Sequence, residues 1–388
     1  MNKNNTNVLL GITGGVAAYK ILELLRLLVK KGFKVKVVLT EAALNFVTPF
    51  SFLSLGAEEV FTDLDQFSVK DGSSIHLSLS RWAHVILVAP ATADIVAKIA
   101  NGISDNLLLT TILASKNPVL IAPSMNENMF LNPITQSNLE KLKTLGFKII
   151  EPEEGYLADL QKGKGRLKGV EDLFEDIMYF LYDKPFLNKK VLVTAGATRE
   201  FIDPVRFITN ASSGKMGIAL AKVAKRLGAN VTLVFGEVSE RIPEVDRSIH
   251  VTTTEEMKNC VIENLKEADI LLMAAAPADY KPTTYTDKKL PKLDKYDLKL
   301  EKTDDILKEA SKYKINKLFV GFALQTEDLI ENAKNKLLEK NLDFIVANTP
   351  SNIGVDRGKI TLISKALDMF EFEGTKEEIA HFIFLKII

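Results

Sequence analysis

Short runs of Val, Ile and Leu alternate along the chain with longer stretches in which apolar positions recur every three or four residues. In the first half the runs cover residues 8–13, 33–40, 85–90, 118–123 and 147–151, and amphipathic stretches such as 19–31 and 136–145 lie between them. Continuous apolar runs of this length predict strands buried on both faces, and their alternation with helices predicts parallel sheets built of βαβ units.

The helical pattern stops at Lys184-Pro185, within a boundary placed at residues 183–188, and a new strand is expected at 190–194. It runs into TAGATRE much as residues 8–13 run into GITGG, and the alternation then repeats through 231–235, 270–276, 318–323 and 344–347. One large doubly wound sheet would also fit this order. The second glycine-rich strand end favours two α/β domains, 1–185 and 186–388, each doubly wound with a mainly parallel sheet. Ligands of such sheets sit outside the carboxyl ends of the strands, so candidate chemistry is sought just after each run.

The length, 388 residues, suits two or three domains at roughly 100–200 residues each. A composition 46% hydrophobic and 26% charged excludes a disordered chain. Fifty basic residues balance fifty acidic ones, so nothing in the total charge favours nucleic acid or an anionic membrane as a partner. The single cysteine, Cys260, excludes an intrachain disulfide and a cysteine zinc site and suits a reducing compartment. The segment MNKNNTN is polar, and the charge-free stretch 42–57 is interrupted by Asn45, Pro49, Ser51, Ser54 and Gly56. A cytoplasmic, soluble protein is expected.

In GITGGVAAYK, Thr13, Gly14 and Gly15 separate a strand from a helix. Backbone N–H groups and the positive helix end there suit a phosphate, but the spacing is not a full G-x-G-x-x-G, and an ordinary tight turn is equally compatible. Thr40 ends the second run, APATAD brings Ala91 and Thr92, APSMNENM brings Met125, Asn126 and Met129, and NGISDNLL brings Ser104, Asp105 and Asn106. Small residues let a flat ring approach the backbone, while hydroxyls and amides can bond its edges. His76, in SSIHLSLSRW, is a candidate base, acid or carboxylate anchor, although a lone histidine is more often structural.

GITGGVAAYK, IHLSLSRWAHVILVAPATAD and PSMNENM together resemble the flavin-dependent cysteine decarboxylases, in particular the decarboxylase half of the bacterial coenzyme A biosynthesis bifunctional proteins, in order across nearly all of residues 7–182. The resemblance implies a Rossmann- or flavodoxin-like domain and FMN held by Thr13, Gly14, Gly15, Thr40, Ala91, Thr92, Ser104, Asp105 and Asn106. It makes His76 the catalytic histidine, Asn126 the group that binds the substrate carboxylate, and Met125 and Met129 substrate neighbours. The implied chemistry is oxidation of a cysteinyl thiol to a thioaldehyde, loss of CO2 to an enethiolate, and re-reduction. One position departs from the family pattern. In EGYLADLQKGKGRLKG the loop cysteine that serves these enzymes as proton donor is replaced by Asp159. Asp159 is then an acid that needs burial to raise its pKa, or a plain loop residue, or the mark of a lost or altered final reduction.

In the second half, TAGATREFIDPVRFITNASSGKMG offers Ser212, Ser213 and Gly214 at a helix start, without the spacing of a P-loop. AAPADYKP places Asp279 at a strand end, and six lysines, including Lys289, follow it. Such a cluster is usually a solvated face, and beside a binding edge it is also suited to clamp phosphates. TAGATRE, FITNASSGKMG, AAAPADY and VANTPSNIG together resemble phosphopantothenate–cysteine ligase, the other half of the same bifunctional proteins. The resemblance implies that CTP activates 4′-phosphopantothenate as an acyl-cytidylate, which the amine of cysteine attacks with help from Asn210. It assigns CTP contacts to Asp279, Lys289, Asp304, Asp305, Ile306, Leu307, Phe322, Lys336 and Lys340, and it implies Mg2+ without identifying ligands. Gln325, Pro291 and Asp304 stand where the family usually has Glu, Lys and Pro.

The whole is expected to make 4′-phosphopantetheine, with trimeric first halves, dimeric second halves and a dodecamer as one combination. The rivals are an active ligase whose flavin half lacks or alters the last reduction, and a regulatory flavoprotein without turnover.

Overall fold

The computed structural model describes residues 6–70, 72–292 and 294–388. The chain divides into two compact units, one ending at Tyr182 and the other spanning Asp183–Ile388.

The first unit is laid down as β1 (Asn7–Ile12), α1 (Ala18–Lys30), β2 (Lys34–Leu39), β3 (Glu59–Thr62), α2 (Ile75–Trp82), β4 (Val85–Ala91), α3 (Ala93–Ala100), α4 (Leu107–Ala114), β5 (Val119–Pro123), α5 (Pro133–Thr144) and β6 (Lys148–Ile149). A hairpin, β7 (Glu153–Tyr156) and β8 (Lys162–Arg166), and α6 (Val170–Leu181) complete it. The sheet order is β3-β2-β1-β4-β5-β6, parallel throughout.

Alternate residues of one strand face opposite helical layers. Leu10 of β1 joins Ile21, Leu24 and Leu28 of α1 and Leu173 and Ile177 of α6, whereas Leu9 joins Leu79 of α2, Val96 of α3, Leu108 of α4 and Leu142 of α5. The helix α1 follows from its spacing, with Ala18, Ile21, Leu24, Leu25 and Leu28 buried on one stripe. Each of its leucines contributes about 1.5–3 kcal/mol by leaving water.

The second unit runs β9 (Lys190–Ala195), β10 (Arg199–Phe201), β11 (Phe207–Thr209), α7 (Lys215–Arg226), β12 (Asn230–Phe235), β13 (Arg247–His250), α8 (Thr254–Leu265) and β14 (Ile270–Met273). It continues through β15 (Tyr280–Pro282), β16 (Leu300–Lys302), α9 (Ile306–Ser311), β17 (Leu318–Leu324), α10 (Leu329–Glu339), β18 (Phe344–Asn348), β19 (Arg357–Ser364), β20 (Met369–Thr375) and α11 (Lys376–Lys386). The main sheet has the order β13-β12-β9-β14-β17-β18-β19-β20, parallel as far as β18 and antiparallel for the last two strands. Both units are thus α/β with mainly parallel sheets, as the alternation of runs predicts.

Several elements lie outside that expectation. The edge strands β3 and β13 and the pair β19–β20 are not announced by apolar runs. In β20, Phe370 and Phe372 are half-buried between exposed Glu371 and Glu373, the alternation of a strand with one wet face. The run 270–276 ends as a strand at Met273, because the chain then turns and the Ala276 N–H donates to Gly196 O at 2.8 Å. No helix among the described residues is long and apolar enough to cross a membrane.

Candidate active sites

In the first unit β1 and β4 are neighbours, and the chain leaves them toward opposite edges of the sheet, which opens a crevice between their carboxyl ends. Thr13 joins the two ends. Its hydroxyl donates to Pro90 O at 2.5 Å and accepts from the Thr92 N–H at 3.2 Å. Gly14 follows, where a Cβ would stand 2.6 Å from Ala42 Cβ, so glycine is what lets this turn pack against the segment after Thr40. Thr92 caps α3 by accepting from the Ile95 N–H, and Ala91 is fully buried.

Thr40, at the end of β2, is buried, and its Oγ1 has no hydrogen-bond partner. An unpaired hydroxyl in this position is costly unless a ligand satisfies it. Asn106 caps α4 through the Leu109 N–H at 2.9 Å, Asp105 pairs with Lys98 at 3.0 Å, and Ser104 O accepts from the Thr110 hydroxyl at 3.3 Å. The Asp105 carboxylate raises the pKa of Lys98, with burial opposing it.

Asp63, which sequence reading missed, binds these segments together. One carboxylate oxygen accepts from the Glu41 N–H at 2.8 Å and the other from the Leu107 N–H at 3.2 Å, so the residues after Thr40 and after Asn106 share one anchor. Its only signal in the sequence is the turn-prone T-D-L-D at residues 62–65.

The hairpin β7–β8 folds onto the PSMNENM segment. The Met125 N–H donates to Gly165 O at 3.0 Å, and Glu127 accepts from the Lys164 N–H at 2.8 Å. Asn126 Nδ2 donates to Asp159 Oδ2 at 2.7 Å, while its Oδ1 accepts from the Asn128 N–H. Asn126 and Asp159, far apart in sequence, are therefore in contact. Asp159 is exposed, not buried as its expected role as an acid called for. Met129 is exposed, and His76 is half-buried near the start of α2 with no hydrogen bond or ion pair among the described residues.

In the second unit β9 and β14 stand at the equivalent switch point. The residues after them are stitched together: Asn210 Nδ2 donates to Pro277 O at 2.8 Å, and buried Thr198 accepts from the Ala278 N–H at 2.9 Å. Gly214 precedes α7 in the left-handed region, with φ 73°, and a Cβ there would stand 2.3 Å from Val238 Cγ1. The Ser212 hydroxyl accepts from the Gly214 N–H at 3.3 Å, and Ser213 O accepts from the Ser239 N–H at 3.0 Å.

Asp279 O accepts from the Thr303 N–H at 3.0 Å, which brings the Asp304–Asp305 turn beside the end of β14. Asp305 caps α9 through the Lys308 N–H and pairs with Lys340 at 2.5 Å. Burial raises the pKa of Asp305, but the Lys340 bond and the Lys308 N–H outweigh it and leave the carboxyl below its ordinary value. Lys336 lies close to this pair. Its ammonium donates to Phe322 O at 2.7 Å, and burial, aided by Lys340 and opposed by Asp305 and Asp279, pushes its pKa down to about 8. Spacing four apart thus does bring Lys336 and Lys340 to one place.

Asp304 pairs with Lys258 at 2.6 Å, and the side chains of Ile306 and Leu307 lie in the core. Lys289 is exposed, and the Gln325 N–H donates to Asn348 O at 3.1 Å. Cys260 lies half-buried in α8, where burial pushes its thiol pKa up. The described residues hold no cluster of three or more His, Cys, Asp or Glu able to bind a metal.

Residues 1–182 match the Flavoprotein family, and residues 186–388 match the C-terminal domain of the DNA/pantothenate metabolism flavoproteins. The chain is 43% identical over 382 residues to the coenzyme A biosynthesis bifunctional protein CoaBC of Bacillus subtilis strain 168, covering 97% of this chain and 93% of that protein. It is also 43% identical to a cysteine/cysteine sulfinic acid decarboxylase from an unknown prokaryotic organism, over 88% of this chain and 99% of the other. Among solved structures, the C-terminal domain of a coenzyme A biosynthesis bifunctional protein CoaBC is 38% identical, with a TM-score of 0.47, covering 53% of this chain and 96% of that one. With its two halves matched in this order and a relative aligned nearly end to end, the chain belongs to the family of bifunctional coenzyme A biosynthesis proteins.

Proposed function

We propose that residues 186–388 join 4′-phosphopantothenate to cysteine at the expense of CTP, and that residues 1–185 decarboxylate the product to 4′-phosphopantetheine. The observation that carries this reading is the alignment over 97% of the chain with a bifunctional relative, because it includes both strand-end sites.

The first crevice fits FMN: the unpaired Thr40 hydroxyl is a feature such a ligand would use, and Gly14 lets the turn after β1 lie close against the segment after Thr40. Thr13, Gly14, Gly15, Thr92 and Ser104–Asn106 would hold it, with Ala91 against the ring. Bound there, FMN supplies a reversible two-electron couple that turns the substrate thiol into a thioaldehyde, the electron sink for loss of CO2. His76 acts as the catalytic histidine. Asn126 offers its amide to the substrate carboxylate, which replaces Asp159 as the acceptor, and Met125 and Met129 flank the substrate. Asp159 takes the place of the family's proton-donor cysteine, and its contact with Asn126 supports its presence beside the substrate.

In the second unit a carboxylate, a poor acyl donor, is activated as an acyl-cytidylate with loss of pyrophosphate. Lys336, Lys340 and Lys289 neutralise phosphate charge, Ser212–Gly214 offer N–H and hydroxyl donors, and Asp279, the Asp304–Leu307 turn and Phe322 shape the nucleotide site. Asn210 holds the acyl-cytidylate for attack by the cysteine amine. Mg2+ would be held largely by the triphosphate oxygens and would offset their charge.

Exposed apolar side chains on the first unit, among them Phe50 (78%), Leu64 (93%) and Phe67 (91%), support a homo-oligomer, read here as trimeric first halves and dimeric second halves. One cysteine in the whole chain supports a cytoplasmic location.

The test is a reaction of purified protein with 4′-phosphopantothenate, cysteine, CTP and Mg2+, followed by mass spectrometry. Saturated 4′-phosphopantetheine, CO2 and pyrophosphate in equal amounts are expected. Release of CO2 from free cysteine without use of CTP would instead match the activity named for the prokaryotic decarboxylase relative.

A further inference from the structure

The lysine-rich segment 283–299 leaves the second unit at β15 and returns at β16, two short strands paired with each other. Both ends enter the strand-end site, since Asp279 precedes β15 and its carbonyl accepts from Thr303 just after β16. The segment carries Lys288, Lys289, Lys292, Lys295 and Lys299. A cavity of about 390 Å3 lies between part of it and the rest of the unit, lined by Ile202, Arg206, Leu290, Pro291, Tyr296 and Leu298.

Its fastening is polar. Among the described residues, the hydrogen bonds that tie 284–298 to the rest of the unit run through Thr286 and Leu290. The Thr286 N–H donates to Ile202 O at 3.4 Å, a weak bond. Leu290 is gripped on both sides: its N–H donates to Asp203 Oδ2 at 3.1 Å and its carbonyl accepts from Arg206 Nη1 at 3.2 Å. Asp203 lies in the β10–β11 turn with a side chain 0% exposed. It also accepts from the Val205 and Arg206 N–H groups at 2.8 Å and from Arg206 Nη1 at 3.0 Å. Burial opposes ionisation, yet the three backbone donors and the guanidinium overcome it and keep the carboxyl below its ordinary pKa.

We propose that Asp203 is a positioning residue for the ligation, the buried anchor that holds the segment carrying Lys289 beside the strand-end site. A carboxylate is required because it accepts from a turn, a guanidinium and the segment at once. The amide of Asn presents one acceptor oxygen and one donor group, so in Asp203→Asn at least one of these partners faces a donor. The inference rests on the nucleotide-dependent ligase reading, but its first test does not.

Full-length Asp203→Asn and the parent protein are digested briefly with trypsin, and the cuts are mapped by mass spectrometry. Cleavage after Lys289, Lys292 and Lys295 is expected to accelerate about tenfold or more, the loss tied to a buried charged hydrogen bond, with the remaining map unchanged. Steady-state ligation should then show KM for CTP raised about tenfold and kcat changed several-fold less. Uniform acceleration at all sites, or an unchanged segment with an unchanged KM for CTP, would overturn the proposal. If Asp203→Asn does not fold, Leu290→Pro decides: it removes the N–H that Asp203 accepts along with the leucine side chain, and because trypsin does not cut before proline, faster cleavage is expected after Lys292 and Lys295 alone. If the parent protein consumes no CTP, the ligase reading fails, while the tryptic map still reports whether Asp203 restrains the segment.

Discussion

Thr40 shows how a single side chain can be read two ways. In the sequence it is a hydroxyl at a strand end; in the structure it is a buried hydroxyl without a partner. Replacing it with Val removes a desolvated group, so the flavin-stripped Thr40→Val protein should gain about 1 kcal/mol of stability in thermal unfolding. The same change should weaken FMN retention, read from flavin fluorescence after gel filtration. Loss of stability without loss of FMN would mean that the hydroxyl serves the fold instead. Lys336 carries a pH prediction. Its pKa falls from 10.5 to about 8 on folding, so between those values the unfolded chain holds a proton that the folded chain has lost, and this residue's contribution to stability rises with pH. Nucleotide affinity moves the other way. The cation is present below about pH 8 and is lost above it, so affinity for CTP should fall by up to about tenfold per pH unit there, and Lys336→Met should flatten that limb in titration calorimetry.

The elements that carry both sites were legible because parallel strands buried on two faces must be continuously apolar. The same signal is silent for β20, whose aromatic and acidic residues alternate, and for the four-residue edge strand β3, whereas the run 147–151 yields only the two-residue β6. It overshoots at 270–276, where the apolar residues after Met273 serve a turn that crosses to Gly196. The start of α7 depends on Gly214, at φ 73° and closely faced by Val238. Gly214→Ala should cost about 1–3 kcal/mol through strain and overpacking and should depress ligation more than decarboxylation. Thermal unfolding together with the two separate assays checks this, and equal loss of both activities would contradict it.

At the scale of the whole chain, the two sites lie in separate compact units, each at its own switch point. His76→Asn should abolish CO2 release and leave CTP consumption within about twofold, and Asn210→Asp should do the reverse, as expected for sites with no shared partners. Parallel assays of pyrophosphate and CO2 would reveal a failure of independence if either folded variant lost both. The sequence by itself determined the order of strands and helices, the glycine-rich strand ends, and which segments could face a ligand, because these follow from local periodicity and from the small residues a close approach demands. Only the tertiary structure decided that Asp159 meets Asn126, that Asp63 joins the segments after Thr40 and Asn106, and that Asp203 grips Leu290 across the chain. A carboxylate in a turn looks the same in sequence whether it faces solvent or a donor from a distant segment, as Asp63 faces the Glu41 and Leu107 N–H groups and Asp203 the Leu290 N–H, because only folding brings that donor to it.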